Sequence, residues 1–140
     1  MIHAKGKLST KKLTSPPSLN ITLIKEHLIN KKQGLEFYTF LKELGLNYGN
    51  GFKGIEELYY NTEVCLSRIK LQKKEEYVLQ LDIMDSALQT CLGFTFGEKT
   101  KDLSIPFSAK EVNIYGDISE ASWSYARKSL NNRHNDKLTS

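Results

Sequence analysis

One short stretch of this chain combines a carboxyl group and an amide at a spacing that suits acid–base chemistry. Asp85 and Gln89 lie four residues apart in the largely apolar stretch 82–93. On a helix, this spacing places two side chains one turn apart on the same side. Burial beside apolar surface favours the protonated form of a carboxyl group. Asp85 is therefore a candidate general acid, with Gln89 as an amide able to bind that acid or a ligand.

The same spacing also fits a purely structural role. Asp82 suits the N-cap of the predicted helix, and Asp85 would then be a first-turn acid that interacts favourably with the helix dipole. The dipole favours the charged form of a carboxyl group, which is the opposite of what a general acid requires. The pattern alone leaves both interpretations open.

Two helices stand out in the hydrophobic pattern. Residues 82–93 carry an apolar stripe that we expect to face the core, formed by Met84, Ala87, Leu88, Cys91 and Leu92. A second amphipathic helix is predicted over 35–44, where apolar residues recur at helical spacing at Phe37, Phe40, Leu41 and Leu44. Gly45 follows where a left-handed residue would end that helix.

The remaining segments favour an antiparallel sheet. Strands are predicted over 2–8, 55–60, 62–71, 112–116 and 121–127, with a bulge near Ile69, and a weak helix over 21–30. A charged turn is predicted over 73–76 and a loop over 102–108. Strands before and after a central helix predict an α+β fold in which an antiparallel sheet packs on one long helix.

Composition and charge argue against several kinds of partner. The 140 residues suit a single domain, and no stretch approaches the roughly 18 apolar residues of a membrane span. The basic N-terminus lacks the apolar segment of a secretory signal, so a cytoplasmic location without a membrane partner is expected. The net charge is +4, but only three of the 20 basic residues are arginine. Arginine dominates sequence-reading contacts, so nucleic-acid binding is not expected.

The cysteines and histidines predict no metal site. Cys65 and Cys91 are 26 residues apart, and the three histidines are scattered along the chain. Neither set has the spacing of zinc ligands. We expect both cysteines to be reduced and buried as small hydrophobic side chains.

Four blocks of sequence, in order, resemble the dehydratase domains of modular polyketide synthases. The blocks are Ile2 to Lys7, Phe37 to Ile55, Leu81 to Gln89 and Ile105 to Gly116. The third block resembles the family's central-helix motif Leu-Leu-Asp-x-x-x-Gln. The resemblance covers roughly residues 2–127. It implies a hotdog fold, an antiparallel sheet wrapped on a central helix, as the second half of a double hotdog.

The resemblance also implies a division of the chain. Residues 1–20 would be the end of the preceding hotdog and a linker, 21–127 the C-terminal hotdog, and 128–140 a disordered tail. The first hotdog's motif His-x-x-x-Gly-x-x-x-x-Pro is absent, because none of the three histidines has that continuation. Family members usually continue after Arg127 with another hairpin. The second hotdog is therefore expected to be incomplete, with an open sheet edge.

The implied activity is the dehydration of a β-hydroxyacyl thioester held on the phosphopantetheine of an acyl carrier protein, with no other cofactor. In the family, a histidine of the first hotdog removes the α-proton and the aspartate of the central helix protonates the departing hydroxyl. Asp85 matches that aspartate, and Gln89 matches its hydrogen-bonding companion. Tyr48, Gly49 and Phe52 match residues that shape the substrate tunnel. Turn formation and core packing are alternative roles for Gly49 and Phe52.

Several departures from the family pattern bear on activity. The family often has His-Pro at Gln80 and Leu81, and proline at Asn50, so the tunnel shape is expected to differ. Without the histidine-bearing half, the chain is not expected to be active alone. Expected partners are an acyl carrier protein, the N-terminal hotdog half or other synthase domains, with a homodimer as another way of pairing. A non-catalytic docking or structural module and a double-bond isomerase or cyclase half-site remain open alternatives.

Overall fold

The computed structural model describes residues 2, 4–10, 13–70, 81–97 and 109–129. In these residues an antiparallel sheet carries helices on both faces. The elements in chain order are α1 (Ile21–His27), β1 (Asn30–Gln33), α2 (Gly34–Glu43), a 3-10 turn (Asn50–Phe52), β2 (Ile55–Tyr60), β3 (Val64–Ile69), α3 (Leu81–Gln89), a second 3-10 turn (Thr90–Gly93), α4 (Phe94–Gly97) and β4 (Trp123–Arg127). The predicted α+β class is confirmed.

The strands follow one another across the sheet in the order β1-β2-β3-β4, and each neighbouring pair is antiparallel. Asn61 closes the β2–β3 hairpin, because its Oδ1 accepts the backbone N–H groups of Glu63 at 2.8 Å and Val64 at 2.7 Å. The register shifts between Ile55 and Glu57. The bulge expected near Ile69 therefore lies across the ladder, on β2.

Both faces of this sheet are covered. We call the face under α2, α3 and residues 90–97 the inner face, and the face under α1 the outer face. The buried inner cluster comprises Phe37, Tyr38, Leu41, Ile55, Leu58, Tyr60, Cys65 and Leu92. The buried outer cluster comprises Leu28, Tyr59 and Leu66, against which residues of α1 and β4 pack. This double coverage explains why Cys65, Leu66 and Ser67, three successive residues of β3, are all buried.

The helix predicted over 35–44 is confirmed as α2. Gln33 and Glu36 form a capping box at its start, and Gly45 ends it with a φ of 98°, as predicted. Its buried side includes Tyr38 besides Phe37 and Leu41. Gly34 lies where a Cβ would stand 2.1 Å from the carbonyl oxygen of Ile55, so only glycine lets α2 begin so close to β2.

The N-terminal segments differ from the prediction in two ways. The weak helix over 21–30 is present but ends at His27, because Asn30 begins β1. β1 is entirely polar and has no alternating pattern by which sequence could reveal it. Its backbone pairs with β2 through the register Asn30↔Tyr60 to Gln33↔Glu57.

Two predicted strands are wrong. Residues 112–116 and the described residues among 2–8 have no regular secondary structure and are exposed. The apolar residues there are exposed too: Ile2 by 81%, Leu8 by 95% and Val112 by 63%. An alternating pattern forms a strand only where a neighbouring strand supplies the hydrogen-bonding ladder. The predicted turn at 73–76, the predicted loop at 102–108 and residues 130–140 of the predicted tail lie outside the described residues.

The strand predicted over 121–127 is confirmed as β4. Trp123 and Tyr125 pack on the outer cluster, whereas Ala126 packs on the inner cluster. None of the helices in the described ranges is long and apolar enough to cross a bilayer.

Candidate active site

Helix α3 turns mainly polar side chains towards the sheet. Its buried residues are Ile83, Ser86 and Gln89, followed by Thr90 and Leu92 in the next turn. The predicted apolar stripe is wrong for Leu88, which is 48% exposed, and for Cys91, which is also exposed. Both cysteines are unpaired, and only Cys65 is buried as predicted. The sheet can accept this polar side of α3 because distant residues satisfy its hydrogen bonds.

The contact between α3 and β3 is a short seam of hydroxyl groups. The hydroxyl oxygens of Ser67 and Thr90 lie 2.6 Å apart, and Thr90 Oγ1 also donates to the carbonyl oxygen of Ser86 at 3.2 Å. On the other side of Ser86 lies Gly54, where a Cβ would stand 2.1 Å from the serine hydroxyl. Glycine at 54 therefore lets the loop before β2 contact α3 directly. This contact brings the carbonyl group of Phe52 to the helix.

Gln89 is the centre of the site. It is 2% exposed, and its Oε1 accepts a hydrogen bond from the Tyr38 hydroxyl at 2.7 Å. Its Nε2 donates to the carbonyl oxygen of Phe52 at 2.9 Å and to Asp85 Oδ2 at 2.5 Å. The Tyr38 oxygen in turn accepts the backbone N–H of Ile55 at 2.9 Å. Both amide hydrogens and the amide oxygen are thus occupied, and the side chain is held in one orientation.

Asp85 is not a helix-terminus residue. It is the fifth residue of α3, beyond the first turn, and its carboxyl group is partly buried against Gln89. Asp82 is the first-turn acid, and its Oδ1 accepts the backbone N–H of Ile83 at 2.9 Å. Asp82 therefore lies inside α3 and is not its N-cap as predicted. Because the dipole effect falls off within the first turn, the first-turn role predicted for Asp85 belongs to Asp82. It does not account for Asp85.

Two tyrosines lie within the electrostatic reach of Asp85. Burial raises the pKa of Tyr38 to about 12, with a further contribution from the charge of Asp85. Burial and then the charge of Asp85 also raise the pKa of Tyr48. The two rings meet edge to face with centroids 6.1 Å apart. Both phenols therefore keep their protons at neutral pH, and Tyr38 remains a hydrogen-bond donor to Gln89.

The three predicted tunnel residues have different positions. Tyr48 packs beside the inner cluster and, with Tyr38 and Ile55, lines an open cavity of about 380 Å³. Phe52 is 48% exposed, so core packing is wrong for it, and it reaches the site through its carbonyl group. Gly49 is exposed and accepts the backbone N–H of Phe52 at 3.0 Å. That bond forms a turn, and a Cβ at Gly49 would meet nothing.

Tyr38 is the site residue that sequence reasoning missed. It is 51 residues from Gln89 in the chain, and its buried position on α2 fits an ordinary core aromatic. The only signal was its place in the second block of the family resemblance. No local pattern relates it to Asp85.

A catalytic base is not found beside Asp85 within the described residues. Among them the one histidine is His27, which lies on α1 over the outer face with its Nδ1 2.9 Å from the carbonyl oxygen of Leu23. His3 and His134 lie outside the described ranges. In those ranges, no group of three or more histidine, cysteine, aspartate or glutamate residues could hold a metal ion.

An antiparallel sheet packed on a central helix is the fold of solved dehydratase domains that superpose on this chain. A trans-AT PKS dehydratase domain from Brevibacillus brevis superposes with a TM-score of 0.74 and 31% identity, covering 83% of this chain and 42% of that one. A dehydratase domain of a mycocerosic acid synthase-like PKS has the same TM-score at 15% identity, covering 84% of this chain and 45% of that one. The second likeness shows the fold alone.

Comparison of sequences gives the family. Residues 22–140 match the family model described as "Polyketide synthase dehydratase N-terminal domain", and the chain belongs to the polyketide synthase dehydratase family. Polyketide synthase PksM of Bacillus subtilis is 28% identical over 98% of this chain, and PksN of the same organism is 27% identical over 87%. The chain spans only 4% and 2% of those two proteins.

Proposed function

We propose that this chain takes part in the dehydration of β-hydroxyacyl thioesters on an acyl carrier protein, with Asp85 as the general acid. The observation that carries the proposal is the hydrogen bond from Gln89 Nε2 to Asp85 Oδ2. It holds a partly buried carboxyl group on the central helix of a dehydratase fold. A surface acid that only stabilised the helix would not require a fully buried amide as its partner.

The proposed reaction is a β-elimination. A base removes the α-proton of the thioester, and the electrons of that C–H bond form the double bond between Cα and Cβ. The Cβ–O bond breaks as Asp85 transfers its proton to the departing hydroxyl group, which leaves as water. Asp85 is then a carboxylate, and the N–H of Gln89 stabilises it by a charge-assisted hydrogen bond. The product is an α,β-unsaturated thioester.

We further propose that the chain is the acid-bearing C-terminal half of a double hotdog. The motif from Leu81 to Gln89 supports this assignment. The coverage of 42% of the solved Brevibacillus chain fits one half of such a domain, without distinguishing the two halves. The matched family model is described as the N-terminal domain, and the assignment to the C-terminal half rests on the central-helix motif. The base would come from a histidine-bearing half, and Tyr48 and the loop at Phe52 would border the substrate. The acyl carrier protein would present that substrate on its phosphopantetheine arm in the cytoplasm.

The test is a dehydration assay of the whole chain with a β-hydroxyacyl thioester on a carrier protein, alone and with a histidine-bearing N-terminal half. Product formation is expected only in the mixture. Asp85→Asn should lower the rate by about 10²–10⁴-fold, the usual contribution of a positioned acid. Asp82→Asn is the matched control, because it changes a carboxyl group of the same helix that, among the described residues, accepts the backbone N–H of Ile83 and does not contact Gln89. It should leave the rate within about twofold.

Other outcomes would favour the alternatives. A stable complex with no product in any assay would favour a docking or structural module. Migration of a double bond in an unsaturated thioester, without loss of water, would favour an isomerase half-site. Sedimentation of the chain alone would show whether it forms a homodimer in the absence of another half.

A further inference from the structure

We infer that Tyr38 is a positioning residue of this site, whose hydroxyl group fixes the direction of the Gln89 amide and leaves Oδ1 of Asp85 as the oxygen that carries the proton. The hydrogen-bond arrangement stands on the geometry of the described residues. Its catalytic consequence rests on the proposed function, because it names which oxygen of the acid carries the proton to be transferred.

The direction of the Tyr38 hydroxyl is determined by its backbone neighbour. A phenol has one hydrogen to donate, and the Tyr38 oxygen already accepts the backbone N–H of Ile55 at 2.9 Å. Among the described residues the phenol hydrogen has its acceptor at Gln89 Oε1, 2.7 Å away, and a flipped amide would leave that buried hydrogen without an acceptor. An amide oxygen can accept that hydrogen, whereas an amide NH₂ group cannot.

The opposite end of the amide is determined in the same way. The Phe52 carbonyl group can only accept, so the group that faces it at 2.9 Å must be the NH₂ group of Gln89. A flipped amide would place oxygen against oxygen at Phe52 and NH₂ against the phenol hydrogen at Tyr38. The contacts of Gln89 with Tyr38 and with Phe52 thus both disfavour the flipped amide. Either contact alone would disfavour it less strongly.

This fixed amide distinguishes the two oxygens of Asp85. Oδ2 accepts the second N–H of Gln89, and an oxygen that accepts in this position cannot also point its own hydrogen at the same group. Because the carbonyl oxygen of a protonated carboxyl group is the better acceptor, this contact favours the form of the acid whose proton is on Oδ1. An acid that always presents the same oxygen needs no reorganisation before proton transfer, and this is the advantage of a preorganised site.

The matched pair of variants is Tyr38→Phe and Tyr60→Phe. Both tyrosines are buried in the inner cluster, 7% and 9% exposed, and both variants keep the ring and lose one oxygen. Only the Tyr38 oxygen belongs to the network around Gln89. A difference between the two variants therefore reports the hydroxyl contacts and not a general loosening of the core.

The first measurement is hydrogen exchange of the Gln89 side-chain NH₂ group by NMR on the full chain. Slow exchange is expected in the unmodified chain and in Tyr60→Phe, and exchange roughly tenfold faster in Tyr38→Phe, as for the loss of one buried hydrogen bond. Unchanged exchange in Tyr38→Phe would overturn the inference. If Tyr38→Phe does not fold, the unmodified chain still tests the network. Exchange of the Gln89 side-chain NH₂ group as fast as that of the exposed Gln33 would show that the network is absent.

The second measurement is the kinetics of the mixture with a histidine-bearing half. Tyr38→Phe should lower kcat roughly 3–10-fold and leave KM unchanged, since the lost contact orients the acid and does not bind substrate. Faster exchange with an unchanged kcat would overturn the catalytic role of Tyr38. A third outcome is that Tyr38→Phe speeds the exchange of Gln89 but the unmodified chain has no dehydratase activity. This outcome would contradict the proposed function and still support the hydrogen-bond network.

Discussion

The two faces of the sheet are buried by different chemistry. On the outer face, Leu28, Tyr59 and Leu66 pack under α1, and the Lys25 ammonium lies 5.1 Å from the ring centre of Tyr59 and 5.3 Å from that of Trp123. The inner face has a larger apolar cluster, but it also buries four polar side chains of β3, α3 and the turn that follows, namely Ser67, Ser86, Gln89 and Thr90. Every buried polar side-chain atom in the described ranges has a partner.

This difference suggests that the outer face contributes mainly to stability, whereas the inner face also positions the candidate site. Apolar burial is non-directional, so the outer face can hold α1 without fixing the position of any particular atom. Buried polar groups are costly unless their hydrogen bonds are made, so the inner face must place donors and acceptors at defined distances. That requirement produces one defined arrangement of Gln89 and Asp85. We therefore expect changes on the outer face to alter stability, and changes around Gln89 to alter activity as well.

The largest expected effect on stability comes from neighbouring residues of β3 that face opposite sides. Leu66→Ala on the outer face should lower the free energy of unfolding by about 2–5 kcal/mol, because it leaves a cavity at a fully buried position. Ser67→Ala on the inner face should cost about 1 kcal/mol, since Thr90 keeps its bond to the Ser86 carbonyl. Denaturant unfolding of both variants measures the difference. Equal losses would contradict the division between the faces.

An intermediate effect is expected from alkaline pH, through two groups of the inner face. Burial raises the pKa of Cys65 and of Tyr38 to about 12, from ordinary values of 9.0 and 10.0. Between those values and about 12 the unfolded chain has lost these protons and the folded chain retains them. The free energy of unfolding should therefore fall as pH rises from 9 towards 12.

Denaturant unfolding across this pH range measures that slope. Cys65→Ser removes the thiol and should make the slope shallower, even if the variant is less stable at every pH. Cys91→Ser, at the exposed cysteine, should reduce the slope less. An identical slope in the unmodified chain and in Cys65→Ser would show that Cys65 ionises as easily in the folded as in the unfolded chain.

The smallest effect on stability is expected from a charged side chain on the outer face. Lys25→Gln removes the cation over Tyr59 and Trp123 and should cost about 0.5–1 kcal/mol of unfolding free energy. Lys5→Gln, at an exposed residue outside any helix or strand, should cost nothing measurable. Reconstituted activity should be unchanged in both variants. A loss of activity in Lys25→Gln would mean that the outer face also affects the site.

Local pattern predicted most of the regular elements. The observed bounds lie within a few residues of the predicted ones for α2, β2, β3 and β4, and Gly45 ends α2 as predicted. Each of these elements carries apolar residues at a spacing that can be recognised within the element itself. β1 has no such period, and it forms because β2 offers a ladder to its backbone. Residues 112–116 have the pattern without the ladder, and they form no strand.

The sequence by itself determined that Asp85 and Gln89 share one side of a helix, because a four-residue spacing is a local property of helix geometry. It also carried the family resemblance, through blocks that keep their order. Only the tertiary structure decided which side of α3 is buried, since apolar Leu88 is exposed and polar Gln89 is not. The reason is that a buried amide is stable only where its partners are, and Tyr38 and Phe52 reach it from 51 and 37 residues away.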